Sequence, residues 1–244
     1  MKFTTIILPL IFIVVLQSKA QFSLGLESGL VFSGYNDVRI PGDQGTLFSL
    51  SEELKADPSL FVRLRLNYQW GERNSFSLLY APLTINSSGR FDKDVIFQGQ
   101  TFPADTPIDG LYRFNSYRLT WRYALYRNPS INFGLGLTAK IRDAEIRLQA
   151  DNQEAKKTNV GFVPIINFLF SWKVQERWQV LIEGDALAAP QGRAEDIFVG
   201  LTYRASERFT LKGGYRLLEG GADNDEVYNF ALIHYAVVGL FLHL

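Results

Sequence analysis

The sequence contains no cysteine and only two histidines, His234 and His243. The absence of cysteine excludes disulfides, thiolate nucleophiles and cysteine-ligated metal sites. Two histidines provide little for acid–base catalysis, and the sequence has no G-x-S-x-G, H-E-x-x-H or phosphate-binding loop. We therefore predict no cofactor, no metal site and no catalytic residues, and a surface hydrolase ranks only as a second alternative function.

A basic excess and a long internal apolar run are also absent. The 25 basic and 25 acidic residues balance, which argues against nucleic acid as a partner. The N-terminus has a basic Lys2, an apolar run over residues 6–16 and then Ser18-Lys19-Ala20. This run is shorter than the roughly 20 residues of a membrane span, and the pattern is typical of a secretory signal peptide. We predict a signal peptide over residues 1–20, followed by one domain over residues 21–244.

The remaining chain alternates apolar with polar residues. In residues 60–70, Leu64 and Leu66 alternate with Arg63 and Arg65. Successive side chains of a β-strand point to opposite faces, so one face of this segment is apolar and the other carries arginines. In a soluble sheet the apolar face would form the core. In a membrane barrel it would contact lipid, and the arginines would face a polar lumen.

The same alternation predicts ten strands. Pro164 in the sixth strand predicts a bulge or bend, and a change of phase near residues 142–147 indicates a bulge at the end of the fifth. Ser51, which precedes Glu52 and Glu53, predicts one helical turn after the first strand. The ten strands span residues 22–32, 60–70, 75–85, 114–126, 131–148, 160–173, 178–188, 196–204, 209–218 and 227–244.

The predicted connections are sorted by length. Connections after the first, third and fifth strands are long (35–59, 86–113 and 149–159), and those after the seventh and ninth are moderate (189–195 and 219–226). The other four are tight turns (71–74, 127–130, 174–177 and 205–208). Bacterial barrels have short periplasmic turns and longer outer loops, whereas a soluble sandwich has no reason for such sorting. Ten strands then place both termini in the periplasm. Eight strands are the alternative if two hairpins pair outside the membrane.

With its N-terminal signal, alternating strands, sorted loops and apolar final strand, the sequence resembles the single-chain outer-membrane β-barrels of Gram-negative bacteria over residues 21–244. The resemblance implies an all-β fold, a transmembrane antiparallel up-and-down β-barrel of about ten strands, in the outer membrane. It also implies contact with outer-membrane lipids and lipopolysaccharide, and insertion by the outer-membrane assembly machinery. The class includes porins, enzymes, adhesins and structural barrels, so membership does not fix a function.

In such a barrel the inward face of this chain carries many charges. A charge in a dry interior is costly, so these side chains must pair or be hydrated. A ten-stranded barrel is only slightly wider than an eight-stranded one, which side chains fill. We therefore predict a lumen plugged by salt bridges and a structural or ligand-binding role, with a narrow solute or ion channel as the alternative. Arg118 and Glu183 are candidate partners. The predicted lumen residues are Glu27, Arg63, Arg65, Arg118, Arg122, Lys140, Glu183, Asp185 and Arg216, and Arg204 and Lys212 fall on the same face.

A second charged set lies at the predicted outer rim. One interpretation is solvated loop charge, and the other is a site for an ion or a small polar ligand. Oxygen-rich loops suit calcium, but Asp223-Asn224-Asp225 lacks the spacing of an EF-hand, so no metal is assigned. The predicted rim residues are Arg142, Asp143, Glu145, Arg193, Glu195, Asp196, Glu219, Asp223 and Asp225.

Overall fold

The computed structural model describes residues 21–190 and 192–244, and the predicted signal peptide lies outside these residues. No helix in the described ranges is long and apolar enough to cross a membrane. The strands are β1 (Gln21–Arg39), β2 (Phe48–Ser49), β3 (Leu54–Ala56), β4 (Ser59–Trp70), β5 (Asn74–Ala81), β6 (Thr84–Arg90), β7 (Val95–Phe97), β8 (Gln100–Phe102), β9 (Pro107–Arg127), β10 (Ile131–Ala150), β11 (Gln153–Lys173), β12 (Trp178–Ala189), β13 (Gly192–Arg204), β14 (Phe209–Asp223) and β15 (Tyr228–His243).

Ten of these strands form one closed antiparallel barrel. Their order around the barrel is β1, β4, β5, β9, β10, β11, β12, β13, β14 and β15, and β15 pairs with β1 from Ser23–His243 to Arg39–Tyr228. Closure leaves no open sheet edge, so the backbone N–H and C=O groups of every strand can be hydrogen-bonded, as a sheet that spans a bilayer requires. The prediction of a ten-stranded barrel is therefore confirmed, and the eight-stranded alternative is wrong.

A band of apolar side chains surrounds the barrel on its outside. Leu24, Leu64, Leu119 and Leu240 all point outward and are 40–52 % exposed. Exposed apolar surface on this scale suits contact with lipid rather than water. The four tight turns lie at the same end of the barrel as both described chain ends, and we name this the terminal end. The opposite end, where the longer connections lie, is the loop end.

The polarity of the two faces of β10 reverses above the apolar band, although the same alternate residues point inward throughout the strand. Lower on the strand, Ile141 points outward and Lys140 is buried inside. Higher on the strand, Ile146 and Leu148 are buried inside, and the charged Glu145 lies on the outer face. The register with β9 is regular here, so the bulge predicted near residues 142–147 is absent. The apparent change of phase arises because the outer face meets water above the membrane and the inner face becomes an apolar core.

Several strands are consequently longer than predicted. β10 and β11 pair up to Ala150–Gln153, so the predicted long connection over residues 149–159 is wrong. β9 begins at Pro107 rather than at residue 114. β12–β13 and β14–β15 also pair beyond their predicted ends, which shortens both moderate connections.

Two local predictions were also wrong. Pro164 causes no register shift between β10 and β11. It lies just above the last β11–β12 pair, Ile166–Ala186, so its missing N–H interrupts no ladder on that side. The predicted helical turn near Ser51 is a hydrogen-bonded turn over residues 50–53, in which the Ser49 N–H donates to Glu53 Oε2 at 2.7 Å.

An apolar cap closes the loop end. The cap consists of residues 40–58, which follow β1, and residues 91–106, which contain the β7–β8 hairpin. Phe48 packs edge-on against Phe91 and Phe97, with ring centroids 5.3 Å and 5.8 Å apart. The Thr46 N–H donates to the Ile96 carbonyl at 2.9 Å and joins the two segments. The cap and the upper barrel strands share one buried apolar cluster.

Candidate functional site

Eight charged side chains meet inside the middle of the barrel, and we name them the charge cluster. They come from six different strands, and their side chains are at most 12 % exposed. Four are basic and four are acidic, so the cluster is balanced in formal charge. The members are Glu27 on β1, Arg63 on β4, Arg118 on β9, Glu183 and Asp185 on β12, Asp196 on β13, and Lys212 and Arg216 on β14.

Asp196 connects the arginines of the cluster. Its carboxylate oxygens lie 3.1 Å from Arg63 Nη2, 2.7 Å from Arg118 Nη2 and 2.5 Å from Arg216 Nη1. Arg118 also donates through Nη1 to Asp185 Oδ2 at 2.7 Å. Guanidinium groups suit this role because their planar fork can bind two carboxylates at fixed angles.

Lys212 connects the two glutamates. Its Nζ donates to Glu27 Oε1 at 2.5 Å and to Glu183 Oε1 at 2.7 Å. The ammonium also lies 3.9 Å from the ring centroid of Phe198, a cation–π distance. Arg216 Nη2 lies 3.3 Å from Glu27 and 3.6 Å from Glu183. Lys212 and Arg216 thus both contact each glutamate, and Glu27 also lies 3.6 Å from Arg63 Nε.

Neutral side chains complete the hydrogen bonding of Asp185. Thr138 Oγ1 donates to Asp185 Oδ1 at 2.6 Å, and Asn167 Nδ2 donates to the same oxygen at 2.8 Å. Thr120 Oγ1 lies 2.8 Å from Thr138 Oγ1. A buried ion pair is stable only when its remaining lone pairs and protons are also satisfied. Thr120, Thr138 and Asn167 provide these hydrogen bonds from β9, β10 and β11.

The structure brings together most, but not all, of the predicted lumen residues. Glu27, Arg63, Arg118, Glu183, Asp185 and Arg216 belong to the charge cluster, together with Lys212. Arg65, Arg122 and Lys140 face the lumen, but among the described residues none of the three has a carboxylate oxygen within 4.0 Å. Arg118 and Glu183 do not contact each other, so the predicted pairing is wrong. Each binds other members of the cluster instead.

Asp196 is a predicted rim residue that belongs to the charge cluster. The sequence predicts Asp196 at the start of the eighth strand and at the outer rim, but β13 begins at Gly192 and Asp196 is 2 % exposed. The alternation itself contained the missed signal, because outward Val199 and Leu201 put even-numbered residues of this strand inside.

The other predicted rim residues do not form one site. Arg142 points into the lumen and hydrogen-bonds Asn159. Asp143 and Glu145 lie on the outer face, where their carboxylate oxygens form ion pairs with Arg113 Nη2 at 3.5 Å and 3.0 Å. Asp223 is exposed at the end of β14, Asp225 is exposed in the following turn, and Glu195 is half-buried on β13. Among the described residues, no group of three or more His, Asp or Glu side chains is placed to hold a metal ion.

A small polar group lies on the outer face just above the apolar band. Arg193 Nη2 lies 2.6 Å from Glu219 Oε1, and the Tyr35 hydroxyl hydrogen-bonds the same carboxylate. Burial alone would raise the pKa of Glu219, but the hydrogen bonds from Arg193 and Tyr35 lower that pKa below its ordinary value. Arg193 also lies over the ring of Phe230, 4.8 Å from its centroid.

Two cavities lie inside the barrel, one on each side of the charge cluster. The upper cavity, about 190 Å³, lies below the cap and is lined by Lys140, Arg142 and Ile233 among others. The lower cavity, about 640 Å³, is lined by Arg65, Arg122 and Glu183 and by residues of the tight turns. The cluster separates the two cavities.

The two histidines are far from a catalytic arrangement. His234 lies on the outer face, where its Nδ1 is 2.5 Å from the Tyr215 hydroxyl. His243 lies at the terminal end, 3.0 Å from Thr210 Oγ1. The strand register places the two histidines nine residues apart on β15, so they cannot act on one substrate group.

No protein-family model matches this sequence, and the comparison with curated protein sequences found no match. Among solved structures, the chain is similar to the outer membrane protease OmpT from Escherichia coli, with a TM-score of 0.60 and 9 % identity over 93 % of this chain and 98 % of that chain. Ail, the attachment invasion locus protein of Yersinia pestis, matches with a TM-score of 0.41 and 10 % identity over 93 % and 99 % of the two chains. Identity this low shows the fold alone, and that fold is the integral outer-membrane β-barrel.

Proposed function

We propose that this protein is a closed, non-conducting barrel of the outer membrane with a structural or ligand-binding role. The observation that supports the proposal is the charge cluster, in which ion pairs join opposite walls of the lumen. A solute that passed this level would have to separate buried ion pairs, and leaving one partner buried without the other costs about 3–5 kcal/mol.

The cap supports the same proposal from the loop end. Phe48, Phe97 and Leu148 are at most 1 % exposed, so the entrance above the cluster is a packed apolar core. The described outer surface of the cap is therefore a folded surface rather than a set of open loops. A folded surface of this kind suits binding at the cell exterior, whereas a channel requires an open entrance.

Conductance in planar bilayers tests the proposal. We expect the full chain to give no steady openings, with insertion verified by heat-modifiable migration on gels. A variant that lacks residues 91–106 should also remain silent, because the charge cluster lies below the cap. Steady openings of the wild-type protein would refute the proposal.

A narrow channel is the second candidate, and the lower cavity favours it because about 640 Å³ of polar space already lies within the barrel. A channel would give ion-selective openings in the same experiment. Basic lining predicts a preference for anions. Silence in the bilayer would exclude this candidate.

The proposed partners are outer-membrane lipids, lipopolysaccharide and the assembly machinery that inserts such barrels. Support comes from the outer face above the apolar band, where Arg39 lies 5.1 Å from the Tyr228 ring centroid and Arg193 lies over Phe230. Aromatic and basic side chains suit the level of lipid headgroups. Lipopolysaccharide that co-purifies with the wild type should be reduced for Arg39→Ala with Arg193→Ala, and unchanged for Arg177→Ala at the terminal end.

A further inference from the structure

The wall of the lower cavity carries two arginines, Arg65 and Arg122. Arg65 Nη1 lies 3.4 Å from Ser77 Oγ, and Arg122 Nε donates to Asn167 Oδ1 at 2.7 Å. Both side chains are half-buried, and within residues 21–190 and 192–244 neither has a carboxylate oxygen within 4.0 Å. Their hydrogen-bond partners are neutral. We infer that the lower cavity is a binding site for a small anionic molecule that carries a phosphate or carboxylate group.

The charge cluster provides the internal comparison. Arg63, Arg118 and Arg216 each contact at least two carboxylates, although they lie on the same inner surface. The structural arginines of this lumen therefore have carboxylates beside them. Below that level the neighbouring inward side chains are Asn67, Ser77 and Thr120, which donate and accept hydrogen bonds without adding negative charge.

The shape of the cavity suits a ligand. Its volume of about 640 Å³ lies within the roughly 300–1,000 Å³ of small-molecule sites. Turn residues such as Glu72, Glu176 and Glu207 line its mouth at the terminal end, and Glu183 of the charge cluster lines its inner wall. The cavity is therefore open at one end and closed at the other, so a ligand can enter without crossing the barrel.

The electrostatics of the cavity select an anion. Seven basic and four acidic side chains line it, and the walls of a membrane barrel have a low dielectric constant. A recess with an excess of one charge sign and such walls concentrates ions of the opposite sign. Arginine forks bind carboxylate and phosphate through two parallel hydrogen bonds, and the surrounding amides and hydroxyls can bind the remaining oxygens.

This inference rests on the proposed function in one respect, because the charge cluster must close the inner end of the cavity. The two can fail separately. Openings in a planar bilayer would refute the closed barrel and leave anion binding to be measured on its own. Absence of anion binding would refute the site and leave a silent barrel unaffected.

Calorimetric titration of the full chain, refolded in detergent at low ionic strength, tests the site. The probes are inorganic phosphate and, separately, succinate. We expect saturable binding of at least one probe at one site per chain. Arg65→Gln and Arg122→Gln should each raise its Kd about tenfold or more, since each removes a charge-assisted contact. Arg147→Gln, which removes the same charge at the loop end, should leave the Kd unchanged.

Ser77→Asp provides a second variant that does not remove an arginine. It places a carboxylate beside Arg65, at the position where the hydroxyl now lies 3.4 Å away. The folded barrel should be at least as stable, whereas anion binding should be lost because the internal carboxylate occupies the guanidinium. Heat-modifiable migration verifies folding of every variant. Failure of both probes to bind the wild type, unchanged binding in Ser77→Asp, or equal weakening by Arg147→Gln would overturn the inference.

Discussion

Arg63 on β4 and Asp196 on β13 are four strands apart around the ten-stranded barrel, yet their side chains meet 3.1 Å apart across the lumen. The same carboxylate binds Arg118 and Arg216. Strands β4, β9, β13 and β14 are therefore held to one another through a single acidic group.

Replacement of that group should have the largest effect on stability within the charge cluster. Asp196→Ala leaves three buried guanidinium groups with too few acceptors, so we expect a loss of about 3–5 kcal/mol in the free energy of unfolding. Urea unfolding in detergent, followed by heat-modifiable migration, measures it. Asp225→Ala, in an exposed turn, should change the same quantity by less than about 0.5 kcal/mol. Equal stability of the two variants would mean that water hydrates the cluster.

A double-mutant cycle should identify Arg118 and Asp185 as direct partners. Each single alanine variant strands the other charge, so the double variant should cost less than the sum by about 0.5–3 kcal/mol. Arg147 and Glu154, a partly exposed pair 3.8 Å apart on the outer face, provide the control and should couple by less than about 1 kcal/mol. Additive losses for Arg118 and Asp185 would contradict the pairing. Since Arg118 does not contact Glu183, the coupling of those two residues should be weaker.

The cap should unfold separately from the barrel. Phe97→Ala removes a fully buried ring and should destabilise the cap by about 3–5 kcal/mol. Limited proteolysis of the protein in lipid vesicles should then cut residues 91–106 faster, while heat-modifiable migration of the barrel stays unchanged. Ile96→Ala, on the same strand but 41 % exposed, is the matched control and should not increase cleavage. Loss of barrel migration in Phe97→Ala would show that cap and barrel unfold together.

Acid should weaken the polar group on the outer face. The pKa of Glu219 is lowered in the folded protein, so its ion pair stabilises the fold above the ordinary glutamate pKa of about 4.3 and is lost as the pH falls through the lowered value. The contribution should be at most about 1 kcal/mol because the Arg193 side chain is about half exposed to solvent. Thermal unfolding of wild type and Glu219→Gln should differ at neutral pH and converge in acid. A difference that persists in acid would exclude this ion pair as its source.

The sequence predicts the membrane part of this fold well because lipid and lumen impose opposite polarity on alternate residues. On β4 and β9, alternation predicts which side chains face lipid and which face the lumen, as with Leu64 beside Arg63 and Tyr117 beside Arg118. The tight turns follow for the same reason, since each ends a segment whose alternation is unbroken. The inward direction of Glu27, Glu183 and Asp185 follows from alternation alone.

The upper barrel and the ion-pair partners could not be predicted in the same way. Above the band the inward residues become apolar, as at Ile146, and this reversed pattern predicts a bulge and a loop where the structure has a continuous strand. Cap residues such as Val95 and Phe97 belong to strands too short for periodicity to detect. Partners across the lumen depend on barrel curvature, which a one-dimensional pattern does not contain. Arg118 therefore binds Asp185 and Asp196 rather than the predicted Glu183.

The reversal on β10 also fixes how deeply the barrel sits in the bilayer. Ile141 is the last apolar outward residue of this strand, Asp143 is the next outward residue, and their partners on β9 are Tyr117 and Asn115. Sliding the barrel by two residues, about 6.6 Å along a strand, would move Asp143 into hydrocarbon or Ile141 into water. A charge on the lipid face is destabilising in proportion to its depth. Adjacent strands therefore resist vertical displacement together, and the height of the cap above the membrane surface is a fixed property of the chain.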